Sequence, residues 1–162
     1  EYVFLPYIYS LMSLSPGKFN LYAFFKLPSA WWCGVRLKSC REEEAVVTVK
    51  HKWFNQNPFK SMFWAVQGMA AELSTGIMVS SQIRGSGENI SMLVANNKGN
   101  FSKKATGKIT FTCKDGKKIK EALDRTIATG EGQTFWMKSV GVNEDGLIVS
   151  TFNFEWTVKL RT

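Results

Sequence analysis

The stretch Asn57–Gly76, NPFKSMFWAVQGMAAELSTG, constrains this chain more than any other. It carries a long helical pattern in a sequence that otherwise reads mostly as strands. Met62, Phe63, Ala65, Val66, Met69, Ala70, Leu73 and Ile77 cover a wide arc, and Trp64, Ala71 and Met78 fill much of the rest. A helix apolar almost all round is expected to be buried. Only Gln67 and Glu72 are strongly polar in its middle. Burying a carboxylate is costly unless it has a partner or a purpose. Glu72 is therefore either a functional acid or a group that looks out through a gap or joins a polar network with Gln67 or Thr75. As a membrane span the stretch fails, because a mid-span carboxylate costs roughly 2.5–3.5 kcal/mol. A core helix wrapped by a sheet is the expectation.

The 162 residues suffice for one domain, with residues 1–15 expected as an N-terminal extension and 16–162 as the folded unit. The early run YVFLPYIYSLM lacks the basic start and cleavage site of a signal peptide and is too short to span a bilayer. A net charge of +8 favours an anionic partner: nucleic acid, an anionic membrane surface or a phosphate-bearing ligand. Cys33, Cys40 and Cys113 form no C-x-x-C pair, so neither a disulfide framework nor a thiolate metal site is expected, and a reducing, cytoplasmic setting is. His51 alone gives a multi-histidine metal site or a Ser-His-Asp triad little to build on.

In chain order, a short amphipathic helix is expected from Pro16 to Leu27, capping the core with Phe19, Tyr22, Phe24 and Phe25 on one side. Alternation predicts strands over Cys33–Cys40 and Ala45–Trp53, the latter with Ala45, Val47, Val49, His51 and Trp53 on one face. The central helix is expected to end before Arg84-Gly85-Ser86-Gly87. Strands are then expected at Ile90–Ala95 and Gly107–Cys113, with Asn96–Asn100 as a turn or bulge between them. A second helix with the stripe Ile119, Leu123, Thr126 and Ile127 follows, then a closing hairpin of Thr134–Val142 and Leu147–Leu160 about Asp145-Gly146. The sum is an α+β domain: an antiparallel curved sheet wrapped around one long central helix.

That order of elements, with Asn57-Pro58, Ser61 and Glu72 at their spacing, resembles the hotdog fold of the acyl-CoA thioesterase superfamily over roughly residues 17–161. Thioesterases of the phenylacetyl-CoA type have a loop Asn-Pro/His-x-Gly-Thr-x-His-Gly-Gly and a catalytic Asp or Glu further along the helix. Here Lys60 replaces the loop glycine, Ser61 stands where Thr is usual, and Phe63-Trp64-Ala65 replaces His-Gly-Gly. The segments Lys103-Lys104-Ala105-Thr106-Gly107 and Thr129-Gly130-Glu131 are similar to a little-characterised, YiiD C-terminal-like branch. The resemblance implies a homodimer or tetramer, a site shared between subunits, and no cofactor beyond the coenzyme A of the substrate.

Within that resemblance Glu72 is the implied general base, Asn57 positions the loop or a water, and the Trp64 N–H polarises the thioester carbonyl. Asn57 reads equally well as a helix cap. Lys60, Ser61, Phe63, Gln67, Thr75, Lys103 and Lys104 are the candidate substrate contacts. Seven lysines between Lys103 and Lys120, with only Asp115 among them, form either a phosphate or lipid-head docking patch or a solvated face. Three functions follow: acyl-CoA hydrolysis through Glu72, non-catalytic binding of acyl-CoA or an acyl chain, and nucleic-acid binding. The last rests on charge alone and ranks third, since most aromatics alternate inward.

Overall fold

The computed structural model describes residues 15–161, so the expected N-terminal extension lies outside the described residues except for Ser15. Ser15 caps α1 (Pro16–Lys26) by accepting a hydrogen bond from the Lys18 N–H. A second short helix, α2 (Pro28–Trp32), precedes the hairpin of β1 (Arg36–Cys40) and β2 (Ala45–Lys50). A 3₁₀ turn at Trp53–Asn55 and a loop lead into α3 (Trp64–Ser86). There follow β3 (Ile90–Phe101), β4 (Lys108–Cys113), α4 (Gly116–Thr129), β5 (Gln133–Val142) and β6 (Ile148–Leu160). All strand pairs are antiparallel, in one six-stranded sheet of order β1-β2-β4-β5-β6-β3.

The curved sheet packs its inner face on α3, which reaches β2, β4, β5 and β6, while α4 lies beside α3 and α1–α2 cover the β1 end. Period-two alternation sets the inner face. Ala45, Val47 and Val49 of β2, Ile109, Phe111 and Cys113 of β4, and Phe152, Phe154, Trp156 and Val158 of β6 are all buried. Each large side chain so buried contributes about 1.5–3 kcal/mol of transfer free energy. Gly76 lets α3 approach the sheet closely, because a Cβ there would stand 3.0 Å from the Trp156 ring. Two buried hydrogen bonds fix the rotation of α3: the Ser74 and Ser139 hydroxyls meet at 2.7 Å, and the Trp156 indole N–H donates to Thr75 Oγ1 at 3.0 Å.

Several sequence expectations are corrected. The central helix begins at Trp64, not near Asn57, and runs through Arg84 to Ser86 before Gly87 stops it with a left-handed φ of 75°. It is also not buried all round, since Trp64 and Glu72 are exposed. β2 ends at Lys50, and the chain turns at Trp53, whose side chain faces solvent. Asn96–Asn100 is no turn: the 12-residue β3 runs through it, with a bulge just before it between Val94 and Asn96. On α1, Phe19 caps the core as expected and Tyr22 packs against it, whereas Phe24 and Phe25 are exposed and Ala23 is buried instead; Ile127 on α4 is exposed too.

Candidate functional site

The loop ahead of α3 is built around Asn57. Its Oδ1 accepts from the backbone N–H groups of Phe59 and Ser61 at 3.0 and 3.2 Å, and its Nδ2 donates to Ser61 Oγ at 3.1 Å. The Asn57 N–H donates to the Ser61 carbonyl at 2.8 Å, closing the loop. Asn57 thus fastens a turn and is not the cap of α3. Lys60 at the tip holds a φ of 58°, the sole left-handed non-glycine conformation among the described residues. That explains physically why glycine suits this position.

The loop is anchored on both sides. Met62 N–H donates to the Ala105 carbonyl at 2.8 Å, and Phe63 N–H to the Asn55 carbonyl at 2.9 Å. Phe63 caps α3 without a side-chain hydrogen bond, and the first helical N–H, that of Trp64, has no acceptor among the described residues. A helix start with a free N–H carries a positive partial charge and can hold an oxyanion. The exposed Phe63 and Trp64 rings stand beside this donor, 6.0 Å apart. Gln67 is buried, with Nε2 on the Met62 carbonyl at 3.3 Å and Oε1 unpartnered among the described residues.

Two turns along the helix, Glu72 stands on the wall of a cavity of about 410 Å³ between α1 and α3. Phe19, Tyr22 and Leu27 line it from the N-terminal helices, and Met69, Leu73 and Ile77 from α3. That volume lies within the range of small-molecule sites. The Glu72 side chain is accessible, yet the protein around it removes enough water to push its carboxyl above the usual carboxylate range. The carboxylate makes no hydrogen bond or ion pair with a described residue. Thr75 does not partner it either: the Thr75 hydroxyl donates to the Glu72 backbone carbonyl at 2.9 Å and is fully buried. Trp156, Thr75 and the Glu72 turn therefore form a positioning relay that sequence alone did not expose. No signal links residues 81 positions apart.

The structure brings Asn57, Lys60, Ser61, Phe63, Trp64, Gln67 and Lys104 together around the helix start, with Lys104 Nζ donating to the Phe59 carbonyl at 3.4 Å. It does not bring Glu72 to them. Glu72 is eight residues beyond Trp64, about 12 Å along the axis at 1.5 Å per residue. The lysine run is largely compensated: Lys108, Lys114 and Lys117 by acids distant in sequence, Glu144, Glu44 and Glu43, and Lys118 and Lys120 by the nearby Asp115 and Asp124. Lys103 and Lys104 have no ion pair among the described residues.

No cluster of His, Cys, Asp and Glu suited to a metal ion occurs among the described residues. The three cysteines are free, and burial pushes Cys113 up to about 12. No helix among the described residues is long and apolar enough to cross a membrane.

The family profile described as "Domain of unknown function (DUF4442)" matches residues 17–158. A search of curated proteins finds no match. Among solved structures, protein PA5026 of Pseudomonas aeruginosa, described as a probable thioesterase of unknown function, superposes with a TM-score of 0.76 at 15% identity, covering 90% of this chain and 97% of that one. Thioesterase HI1161 of Haemophilus influenzae gives 0.70 at 14% identity, covering 91% and 92%. The PaaI protein of the E. coli phenylacetic acid degradation operon gives 0.61 at 16% identity, covering 87% and 96%. These likenesses establish a shared hotdog fold.

Proposed function

Starting from the fact that this chain belongs to the family described as Domain of unknown function (DUF4442), we propose that it hydrolyses an acyl-CoA thioester at a site completed by a second copy of itself. The observation that carries this reading is Glu72, a carboxylate of raised pKa with no partner among the described residues, on the wall of a largely apolar cavity. Such a group is a better base near neutral pH than an ordinary carboxylate. Within one chain it lies too far from the Trp64 N–H for both to act on one carbonyl. Two copies remove that difficulty. Among the described residues β3 is an edge strand 12 residues long that pairs with β6 alone, and it presents Leu93 and Phe101 to solvent. A long unpaired edge is a template for a second strand.

In this scheme the acyl group enters the cavity between α1 and α3, and the Trp64 N–H of one protomer polarises the thioester carbonyl. Glu72 of the other takes a proton from water, which attacks the carbonyl carbon. The C–S bond then breaks, and Glu72 returns the proton to the departing thiolate. Asn57 and Ser61 hold the loop, while Lys60, Lys103 and Lys104 meet the phosphates of coenzyme A.

A second reading is a domain that binds acyl-CoA without turnover. The exposed Phe63 and Trp64 rings favour it, since they crowd the approach to the helix-start donor. Hydrolysis across a panel of acyl-CoAs, repeated with Glu72→Gln, separates the two. The first reading expects turnover that falls at least about a hundredfold in the variant, the scale of general-base catalysis. Saturable binding with no turnover selects the second, and turnover indifferent to the substitution removes Glu72 from the mechanism.

A further inference from the structure

The outer surface formed by α1, α2 and the β1–β2–β4 face has no part in the reaction above. α1 buries Phe19 and Ala23 against the core and leaves Leu21 and Phe25 exposed at 60% and 68%. Trp32, at the end of α2, is 62% exposed, and Trp53, just after β2, is 82% exposed. Single exposed apolar side chains are ordinary, but a contiguous group of them marks an interaction surface.

Leu21 adjoins a field of cations, and Phe25 and Trp32 reach it through ring contacts with Phe24 and Trp31. One shallow depression is lined by Leu21, Phe24, Trp31 and Arg36. The next is lined by Arg36, Lys38, Lys50, Lys52 and Lys108, so Arg36 joins the two. The Arg36 guanidinium lies 4.3 Å from the centre of the Trp31 ring. Strand register accounts for the cluster: Arg36 pairs with Thr48, and Lys50 with Lys108, on the sheet face turned away from α3. Asn55 Nδ2 donates to the carbonyls of Cys33 and Lys50, both at 2.9 Å, which seats the turn bearing Trp53 beside α2 and the basic strands. Of the five cations only Lys108 has an acidic partner among the described residues, Glu144 at 3.7 Å.

Aromatic and aliphatic side chains at the rim of a basic surface that has few acidic partners among the described residues complement an interface that is apolar beneath and anionic on top. We propose that this face docks the protein, reversibly and without spanning, on a bilayer bearing anionic head groups. Leu21, Phe25, Trp32 and Trp53 enter the head-group layer, and Arg36, Lys38, Lys50 and Lys52 meet its phosphates. A nucleic acid would use the same cations but gain nothing from Leu21, which has no ring to stack.

The test uses the full chain and extruded vesicles, either pure phosphatidylcholine or containing about 30% phosphatidylserine. Sedimentation is expected to show binding to the anionic vesicles at least about tenfold tighter than to the neutral ones, weakening as salt rises. The double variant Lys50→Glu/Lys52→Glu should lose most of that preference. Leu21→Ser/Phe25→Ser should weaken binding to the anionic vesicles by about tenfold, with an unchanged circular dichroism spectrum. Absence of binding, or binding indifferent to both variants, overturns the proposal. So does a change of oligomeric mass in Leu21→Ser/Phe25→Ser, which would make the patch a protein contact. Displacement from vesicles by a short oligonucleotide, whose own affinity survives the Leu21/Phe25 change, overturns it in favour of nucleic acid.

Discussion

At Glu72 the sign of the pKa shift fixes what pH should do. A carboxyl whose folded pKa lies above its unfolded value binds more protons when folded, so stability falls as pH rises through the window between the two values. Glu72→Gln removes that penalty. The variant is therefore expected to melt above the wild type at pH 7, with the difference vanishing below the ordinary carboxylate range; thermal melts at several pH values check it. Lys60 makes a second prediction. Its left-handed φ costs about 1–2 kcal/mol in a non-glycine residue. Glycine there gains most of that back but has more freedom to lose on folding. Lys60→Gly should be neutral to about 1 kcal/mol stabilising in denaturant unfolding. Glu72 was legible because it interrupts an apolar pattern. That Thr75 binds its backbone rather than its carboxylate was not legible, since both hydrogen bonds fit the same spacing.

Among the elements, α4 begins with its backbone pressed on the β1–β2 turn. A Cβ at Gly116 would fall 2.0 Å from the Glu42 carbonyl oxygen, which backbone on both sides forbids. Gly116→Ala should cost about 1–3 kcal/mol, the range for overpacking, and a urea midpoint measures it. The same element was read correctly from its stripe of Ile119, Leu123 and Thr126, which are buried. Alternation likewise exposed the inner faces of β2 and β6. Two boundaries were not legible. Periodicity places the helix start too early because residues 57–63 include apolar side chains, whereas Asn57 engages its amide in an Asx turn that periodicity does not register. The far half of β3 leaves no strand signal because Asn97, Lys98, Gly99 and Asn100 are poor strand formers by composition. They are held extended by pairing with β6, which closes only in three dimensions.

For the whole molecule, a site shared between copies requires two chains joined edge to edge along β3. Leu93→Glu should halve the solution mass to that of the 18.3 kDa chain and remove turnover while leaving Glu72 and Trp64 intact. Light scattering beside the hydrolysis assay reads both. The central claim is that each site takes its base from one protomer and its oxyanion donor from the other, and mixed dimers test it most directly. Trp64→Pro deletes the helix-start N–H at a position where proline is tolerated, and Glu72→Gln deletes the base. Each variant alone should be inactive. Unfolded and refolded together in equal amounts, they should recover about a quarter of wild-type turnover, because half the dimers then carry one intact site of two. Recovery of none, from variants that fold and exchange partners, would contradict a site shared between chains.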